Sequence, residues 1–246
     1  MMDQVVETLW NGYRRLDFIF MGHPAILVCP NNPTEYKKWL LKTEYFGAFP
    51  AYELAMLERG YYVAHVKNTT RWCLPEDTER QAAFCEFLKD EFGLAKTCMP
   101  VGMSCGGMQA IYLAAKYPHL ASALYLDAPV LNLLSCPCSI GRENGGKMYE
   151  EFVNATGRTI STLLNDRNHP IDYADQLIAH RIPLALIGGE ADTVVPYLEN
   201  GAVLAQKYRA SSVPFMEVVK PDCDHHPHGL PNQDMLIAFT EKYYKL

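Results

Sequence analysis

Apolar and polar residues follow two alternating periodicities along most of this chain. Short apolar runs rich in β-branched and aromatic residues are typical of buried strands, and apolar residues three and four apart are typical of amphipathic helices. The strand pattern falls on residues 13–21, 25–29, 61–66, 97–101, 123–126, 183–187 and 214–219. The helical pattern falls on residues 52–59, 75–92, 108–117, 197–208 and 233–244.

This alternation of strands and helices predicts an α/β fold with a mostly parallel sheet. Crossover helices place such a sheet between two helical layers, and the opening hairpin around residues 22–24 adds an antiparallel edge. The stretch 131–181 breaks the alternation with scattered glycines and helical fragments. We interpret it as a small cap inserted over a site, and we expect one domain, residues 1–246, rather than two.

Composition and charge exclude several classes of protein. The chain has 246 residues, of which 49% are apolar, and its net charge is −6 without a basic block. An apolar fraction of this size supports a large core, and the absence of a basic stripe argues against nucleic-acid binding. Because the chain has neither a secretory signal pattern nor a long apolar run, we expect a cytoplasmic protein that does not bind a membrane.

A short glycine-rich motif carries the first candidate for chemistry. Residues 102–107 read Gly-Met-Ser-Cys-Gly-Gly, between the predicted strand 97–101 and the predicted helix 108–117. A G-x-S-x-G pattern in this context is typical of a nucleophile elbow, a sharp turn that presents the Ser104 hydroxyl. The alternative is an inert turn, so the partners that Ser104 finds elsewhere in the chain decide between the two.

A nucleophilic serine needs a base to accept its proton and a carboxylate to orient that base. In doubly wound sheets the chemistry lies beyond the carboxyl ends of the strands. Asp192 follows the predicted strand 183–187, and His225 follows the predicted strand 214–219. We therefore predict Ser104, Asp192 and His225 as a catalytic triad.

The carboxylate has alternatives. Asp192 precedes a helical pattern and could instead cap that helix. Glu190 lies in the same turn, and Asp127 also follows a predicted strand. We favour Asp192, because Glu190 lies closer to the strand end, where it suits the turn more than the catalytic reach.

Three histidines compete for the role of base in one loop. We favour His225 because it is the first after the strand end, and we expect His226 and His228 to pack or to line the pocket. Clustered imidazoles could also bind Zn, Cu or Ni, but no ligand spacing repeats elsewhere, so we expect no metal. His65 lies within an apolar run, which predicts a core residue.

With these segments in place, the chain resembles the α/β-hydrolase superfamily, in particular its compact serine esterases. The resemblance covers nearly the whole chain and rests on the elbow at 102–107, the segment 187–196 and the histidine loop 221–230. It implies a mainly parallel eight-stranded sheet, a serine nucleophile, no cofactor and a cap after the sixth strand.

The resemblance also implies an oxyanion hole. Members of the superfamily form it from the N–H that follows the nucleophile and an N–H from the loop after the third strand. In this chain these donors are Cys105 and Asn31, with Asn32 as the alternative. Pro30, which precedes them, has no N–H to donate.

The expected function is that of a serine hydrolase acting on a small-molecule carboxylic ester through an acyl-enzyme intermediate. One alternative is a non-catalytic binding protein on a hydrolase fold. Another is a thioesterase, peptidase or cofactor-free lyase that uses the same triad. The superfamily fold hosts many chemistries, so only the site can argue the reaction.

Overall fold

The structure is a computed structural model that describes residues 5–142 and 146–246. Residues 1–4, on which the expectation about a secretory signal falls, and residues 143–145 of the predicted cap lie outside the described residues. None of the described helices is both long and apolar enough to cross a bilayer.

A nine-stranded sheet forms the centre of the fold. The strands are β1 (Val6–Trp10), β2 (Tyr13–Phe20), β3 (His23–Cys29), β4 (Trp39–Lys42), β5 (Tyr62–Val66), β6 (Met99–Met103), β7 (Leu124–Asp127), β8 (Leu184–Gly189) and β9 (Phe215–Lys220). Their order is β1-β2-β3-β5-β4-β6-β7-β8-β9. The first three strands and the β3–β5 pair are antiparallel, and every pair from β5 to β9 is parallel. The predicted mostly parallel α/β sheet is confirmed.

Helices cover both faces of this sheet. They are α1 (Ala51–Glu58), α2 (Pro75–Phe92), α3 (Cys105–Lys116), α4 (Gly146–Thr156), α5 (Ile160–Leu163), α6 (Ala174–Ala179), α7 (Gly201–Arg209) and α8 (Asp234–Tyr243). Ala185 of β8 packs in one apolar cluster with α1 and α8, and its neighbour Leu186 packs in another with α3, α6 and α7. Successive strand residues point to opposite faces, which explains why the strands read as continuous apolar runs.

The sheet has nine strands rather than the eight that the resemblance implies, and the sequence pattern misses two of the nine. β1 is an edge strand whose residues are mostly exposed, including Leu9 at 75%, so it lacks a buried face. β4 is fully buried, but it has only four residues and ends on a charged side chain, Lys42. Lys42 is tolerated there because its ammonium lies 2.5 Å from the Glu53 carboxylate.

The irregular stretch of the sequence lies between β7 and β8. It follows the seventh strand rather than the sixth, because β1 adds a strand at the start of the sheet. Its described part contains α4, α5 and α6, and α6 packs against α7 and the central sheet. Its function as a cap stays a prediction.

Candidate active site

Ser104 lies at a sharp turn between β6 and α3. Its backbone has φ +52° and ψ −120°, a conformation that a residue with a side chain rarely adopts. The Ser104 N–H donates to the Asp127 carbonyl at 2.9 Å, and the Ser104 carbonyl accepts from Gly107 and Val130, both at 3.0 Å. The bonds with Asp127 and Val130 hold the strained turn against the end of β7, and the bond with Gly107 lies in the first turn of α3.

The glycines of the motif are required by close backbone contacts. A Cβ atom on Gly102 would lie 2.6 Å from the Gly106 carbonyl oxygen and 2.7 Å from the Gly107 Cα. A Cβ atom on Gly107 would lie 2.3 Å from the Pro129 Cβ. The G-x-S-x-G pattern therefore reflects the packing of α3 on β6 at the elbow.

We expect Gly102→Ala to lower the free energy of unfolding by about 3 kcal/mol, since backbone atoms cannot yield without distorting the elbow. Urea denaturation followed by circular dichroism measures this loss. Gly157→Ala is the matched control: Gly157 has φ +67° but open space around its Cα, so only backbone strain, about 1 kcal/mol, applies. Equal losses in the two variants would contradict the packing explanation.

The structure brings Ser104, His225 and Asp192 together. The His225 Nε2 lies 3.1 Å from the Ser104 Oγ, and the His225 Nδ1 lies 2.8 Å from the Asp192 Oδ2. The His225 and Asp192 side chains are 8% and 1% exposed, so little water competes for these hydrogen bonds. This arrangement allows a proton to pass from the serine hydroxyl to an oriented imidazole.

Asp192 also stabilises the turn that carries it. Its Oδ1 accepts the backbone N–H groups of Val194 at 2.9 Å and Val195 at 2.7 Å. The capping alternative and the catalytic interpretation are therefore compatible, because each uses a different carboxylate oxygen. Glu190 is exposed at the start of the same turn.

Asp127, the other candidate carboxylate, binds a different histidine. Its Oδ1 lies 3.0 Å from the His228 Nδ1, and its Oδ2 accepts from the Gly229 N–H at 2.5 Å and the Tyr125 hydroxyl at 3.0 Å. The interaction with His228 holds the pKa of the Asp127 carboxyl below its ordinary value despite burial. Asp127 thus anchors the histidine loop to the end of β7.

His226 and His65 lie in different surroundings. His226 is exposed, and its ring stacks on Phe49 with centroids 5.5 Å apart. His65 is buried in β5, with its Nδ1 2.8 Å from the Lys42 carbonyl oxygen. The prediction of His65 as a core residue is confirmed.

Asn31 does not lie near Ser104. It follows β3, which runs antiparallel to β5, so it emerges at the edge of the sheet where the parallel strands begin. Asn32 packs there against Gly60, directly before β5: a Cβ on Gly60 would lie 2.3 Å from the Asn32 carbonyl oxygen. The assignment of Asn31, or Asn32, to the oxyanion hole is wrong, because Ser104 lies at the opposite edge.

The loop that lies beside the elbow is the loop after β4, not the loop after β3 as predicted. Thr43 in this loop donates its hydroxyl to the Gly106 carbonyl at 2.7 Å, which fixes the loop against the elbow. The sequence pattern does not predict β4, so the loop after β4 is not recognised as a source of an oxyanion donor.

A cleft of about 320 Å³ opens beside Ser104. The sequence patterns miss several of the side chains that line it, namely Tyr45, Ala48, Phe49, Arg71, Met103, Cys136, Met148 and Val194. Tyr45 and Phe49 lie in the loop after β4, and Cys136 and Met148 come from the segment between β7 and β8. A larger cavity of about 750 Å³, between α2, α3 and the same segment, does not include Ser104.

Two groups beside Ser104 stay protonated. Burial raises the pKa of the Cys105 thiol to about 11, so the thiol is neutral and a poor nucleophile near neutral pH. Burial, followed by the neighbouring Cys105, raises the pKa of Tyr45 well above its ordinary value. The Tyr45 hydroxyl therefore stays protonated near neutral pH and can donate a hydrogen bond.

Arg71 links the cleft to α4. Its guanidinium forms a bidentate ion pair with the Glu151 carboxylate, and its Nε lies 2.9 Å from the Glu151 Oε1. Both side chains are partly exposed, so the pair contributes about 1 kcal/mol or less to stability. Its consequence is geometric, because it holds α4, and with it Met148, beside the elbow.

Several solved structures are similar to this one. A puromycin-hydrolyzing peptidase from Mycobacterium tuberculosis gives a TM-score of 0.69 at 16% identity, over 91% of this chain and 37% of that one. The acylaminoacyl peptidase of Pyrococcus horikoshii gives 0.68 at 15% identity, over 100% and 42%. A truncated carbohydrate esterase from gut microbiota gives 0.67 at 14% identity, over 90% and 91%. The chain thus spans about two fifths of the length of each of the two peptidases.

No protein-family model matches the sequence, and no curated protein sequence matches it either. At these low identities the likeness to peptidases and esterases concerns the fold. The nine-stranded sheet, its strand order and the structures that share it confirm the predicted architecture. This chain has the α/β-hydrolase fold.

Proposed function

We propose that the protein is a serine hydrolase that cleaves small carboxylic esters. The observation that carries the proposal is the continuous hydrogen-bonded path from the Ser104 Oγ through the His225 imidazole to the Asp192 carboxylate. The same three side chains would not need this alignment in a protein that only binds ligands. The esterases and peptidases that share the fold support a hydrolase.

The mechanism is acyl transfer in two halves. Neutral His225 accepts the Ser104 proton at Nε2 while the Ser104 Oγ attacks the ester carbonyl, and Asp192 stabilises the imidazolium that forms. The tetrahedral intermediate collapses, the leaving alcohol takes the proton from His225, and an acyl-enzyme remains on Ser104. Water then attacks with His225 as base, which releases the carboxylic acid and restores the hydroxyl.

The oxyanion hole is proposed to have one backbone donor and one side-chain donor. Cys105 is the first residue of α3, so its N–H is among the amides that a helix leaves unpaired at its amino terminus. The Tyr45 side chain lines the same cleft beside Cys105. Its protonated hydroxyl supplies the second donor, in place of the rejected Asn31.

We expect Tyr45→Phe to lower kcat by about 10²- to 10³-fold, the loss typical of one oxyanion donor, with a small change in KM. Steady-state kinetics with p-nitrophenyl acetate measure both constants. Tyr36→Phe is the matched control, because Tyr36 is an exposed tyrosine that does not line the cleft. An unchanged kcat in Tyr45→Phe would assign the second donor to the backbone of this loop.

The dimensions and lining of the cleft favour small substrates. Its volume, about 320 Å³, is at the lower end of the range for small-molecule sites, and Phe49, Met103, Met148 and Val194 give it an apolar surface. We therefore propose a short acyl chain. We also propose that the segment 131–181 acts as the cap of a single domain, since Cys136 and Met148 form part of the wall.

Two assays on the full chain test this function. A fluorophosphonate probe should form one adduct, which peptide mass spectrometry maps to Ser104. Turnover of p-nitrophenyl acetate should exceed that of alanine p-nitroanilide, whereas the reverse preference would favour a peptidase, the activity that two of the similar structures are named for. No adduct on Ser104 and no turnover would favour a non-catalytic binding protein.

A further inference from the structure

We propose that His225, His226 and His228 form a binding site for one divalent transition-metal ion, such as Zn²⁺, in the cleft beside Ser104. We further propose that the bound ion switches the hydrolase off. The binding site is inferred from the geometry of the three histidines and does not depend on the proposed function. The inhibition rests on the function proposed above.

The three imidazole rings converge in space. Their centroids are 4.8 Å apart for His225 and His228, and 4.9 Å apart for each of the other two pairs. One ring nitrogen from each residue lies within 4.8 Å of the others, and all three residues line the cleft. Imidazole nitrogen is a preferred ligand of zinc, copper and nickel.

Two of the histidines already have the outer partners that metal-binding histidines use. The His225 Nδ1 bonds to Asp192 at 2.8 Å, and the His228 Nδ1 bonds to Asp127 at 3.0 Å. A carboxylate on one ring nitrogen fixes the tautomer and makes the other nitrogen a stronger ligand. Because the carboxylates engage the Nδ1 atoms, the Nε2 atoms of His225 and His228 are left to ligate the ion.

The third histidine is suited to complete the site. His226 supplies a third imidazole beside those of His225 and His228, with ring centroids 4.9 Å from each. Its ring is exposed at the mouth of the cleft, so an ion can reach the site from solvent.

A small movement brings the ligands to binding distance. Zinc–nitrogen bonds of about 2.0–2.1 Å in tetrahedral geometry place the nitrogens about 3.3 Å apart. The three ring nitrogens therefore need to approach by at most about 1.5 Å from their separations of 4.8 Å or less. A water molecule would take the fourth position of the tetrahedron.

Binding and catalysis compete for one lone pair. The His225 Nε2 that lies 3.1 Å from the Ser104 Oγ is also the atom that would ligate the ion. A nitrogen that donates its lone pair to a metal cannot accept the serine proton. Zinc thus removes the general base, and a chelator that removes zinc restores it.

The binding test uses the full chain, stripped of metal with EDTA and then dialysed. Titration calorimetry with Zn²⁺ should show one ion per chain, and Co²⁺ should give the visible absorption of a tetrahedral site. His226→Ala and His228→Ala should each weaken binding by about tenfold or more. His180→Ala, which removes an exposed histidine on the end of α6, should bind as the unaltered protein does.

His226→Ala keeps this test decisive even if His228→Ala fails to fold without its bond to Asp127, because His226 is exposed. Zinc binding that is absent, or that persists unchanged in His226→Ala, would overturn the site.

The inhibition test measures the rate of fluorophosphonate labelling of Ser104, with and without zinc, within each variant. Zinc should slow labelling of the unaltered protein, EDTA should restore it, and the zinc concentration for half-inhibition should rise about tenfold in His226→Ala. Labelling at full rate with zinc bound would refute the inhibition. Failure to label without zinc would refute the proposed function, while the calorimetric titration would still report on the metal site.

Discussion

Ser104→Ala is expected to lower kcat for p-nitrophenyl acetate by at least about 10⁴-fold, because no other described side chain is positioned to attack the bound ester. Cys105, its neighbour, is kept neutral by burial and does not substitute for the lost hydroxyl. Steady-state kinetics on purified protein measure the loss, and circular dichroism checks that the fold is retained.

The proposed triad of Ser104, His225 and Asp192 should behave as one unit. His225→Ala is expected to cost about as much as Ser104→Ala, and the double variant should lose little more than either single one. Ser161→Ala, an exposed serine in α5, is the control and should keep full activity. Additive losses in the double variant would mean that Ser104 and His225 act in separate steps, contrary to the mechanism.

Lys42→Met is expected to lower the free energy of unfolding by about 3–5 kcal/mol, because it leaves the Glu53 carboxylate buried without a counter-charge. The Lys42 and Glu53 side chains are only 1% and 4% exposed, and the Glu53 Oε2 has no hydrogen-bond partner among the described residues. Urea denaturation at neutral pH measures the loss.

Removing both charges distinguishes the cost of an uncompensated Glu53 carboxylate from the cost of altered packing around Lys42. The double variant Lys42→Met with Glu53→Leu should recover most of the lost stability, since two apolar side chains of similar size can replace a buried ion pair. Lys116→Met breaks the exposed pair with Glu79 and should cost less than about 1 kcal/mol. If the double variant stays as unstable as Lys42→Met, the uncompensated charge is not the cause.

The placement of Ser104, Asp192 and His225 could be predicted from sequence because each follows a strand with a strong apolar pattern. Parallel strands bring their carboxyl ends to one edge, so residues far apart in the chain become neighbours. The match between the predicted helix 75–92 and α2 (Pro75–Phe92) has a similar cause, a long periodic pattern with proline at its start.

The position of Tyr45 beside Ser104 could not be predicted, because the strand that precedes it, β4, leaves little trace in the sequence. β4 has four residues, and its last one is a lysine whose burial depends on Glu53, eleven positions later. A pattern of apolar residues cannot show such a tertiary pair. The pairing of His228 with Asp127 was likewise hidden, since the two residues are 101 positions apart.

The distance along the chain between Ser104 and His225 has a consequence for refolding. The two residues are 121 positions apart. The elbow that carries Ser104 and the loop that carries His225 are both held by Asp127 of β7, which bonds to the Ser104 N–H and to His228. Contacts between distant segments form late, because closing the intervening chain costs entropy. Recovery of the proposed esterase activity after dilution from denaturant should therefore lag behind recovery of the helical signal, so that activity reports the final assembly of the sheet.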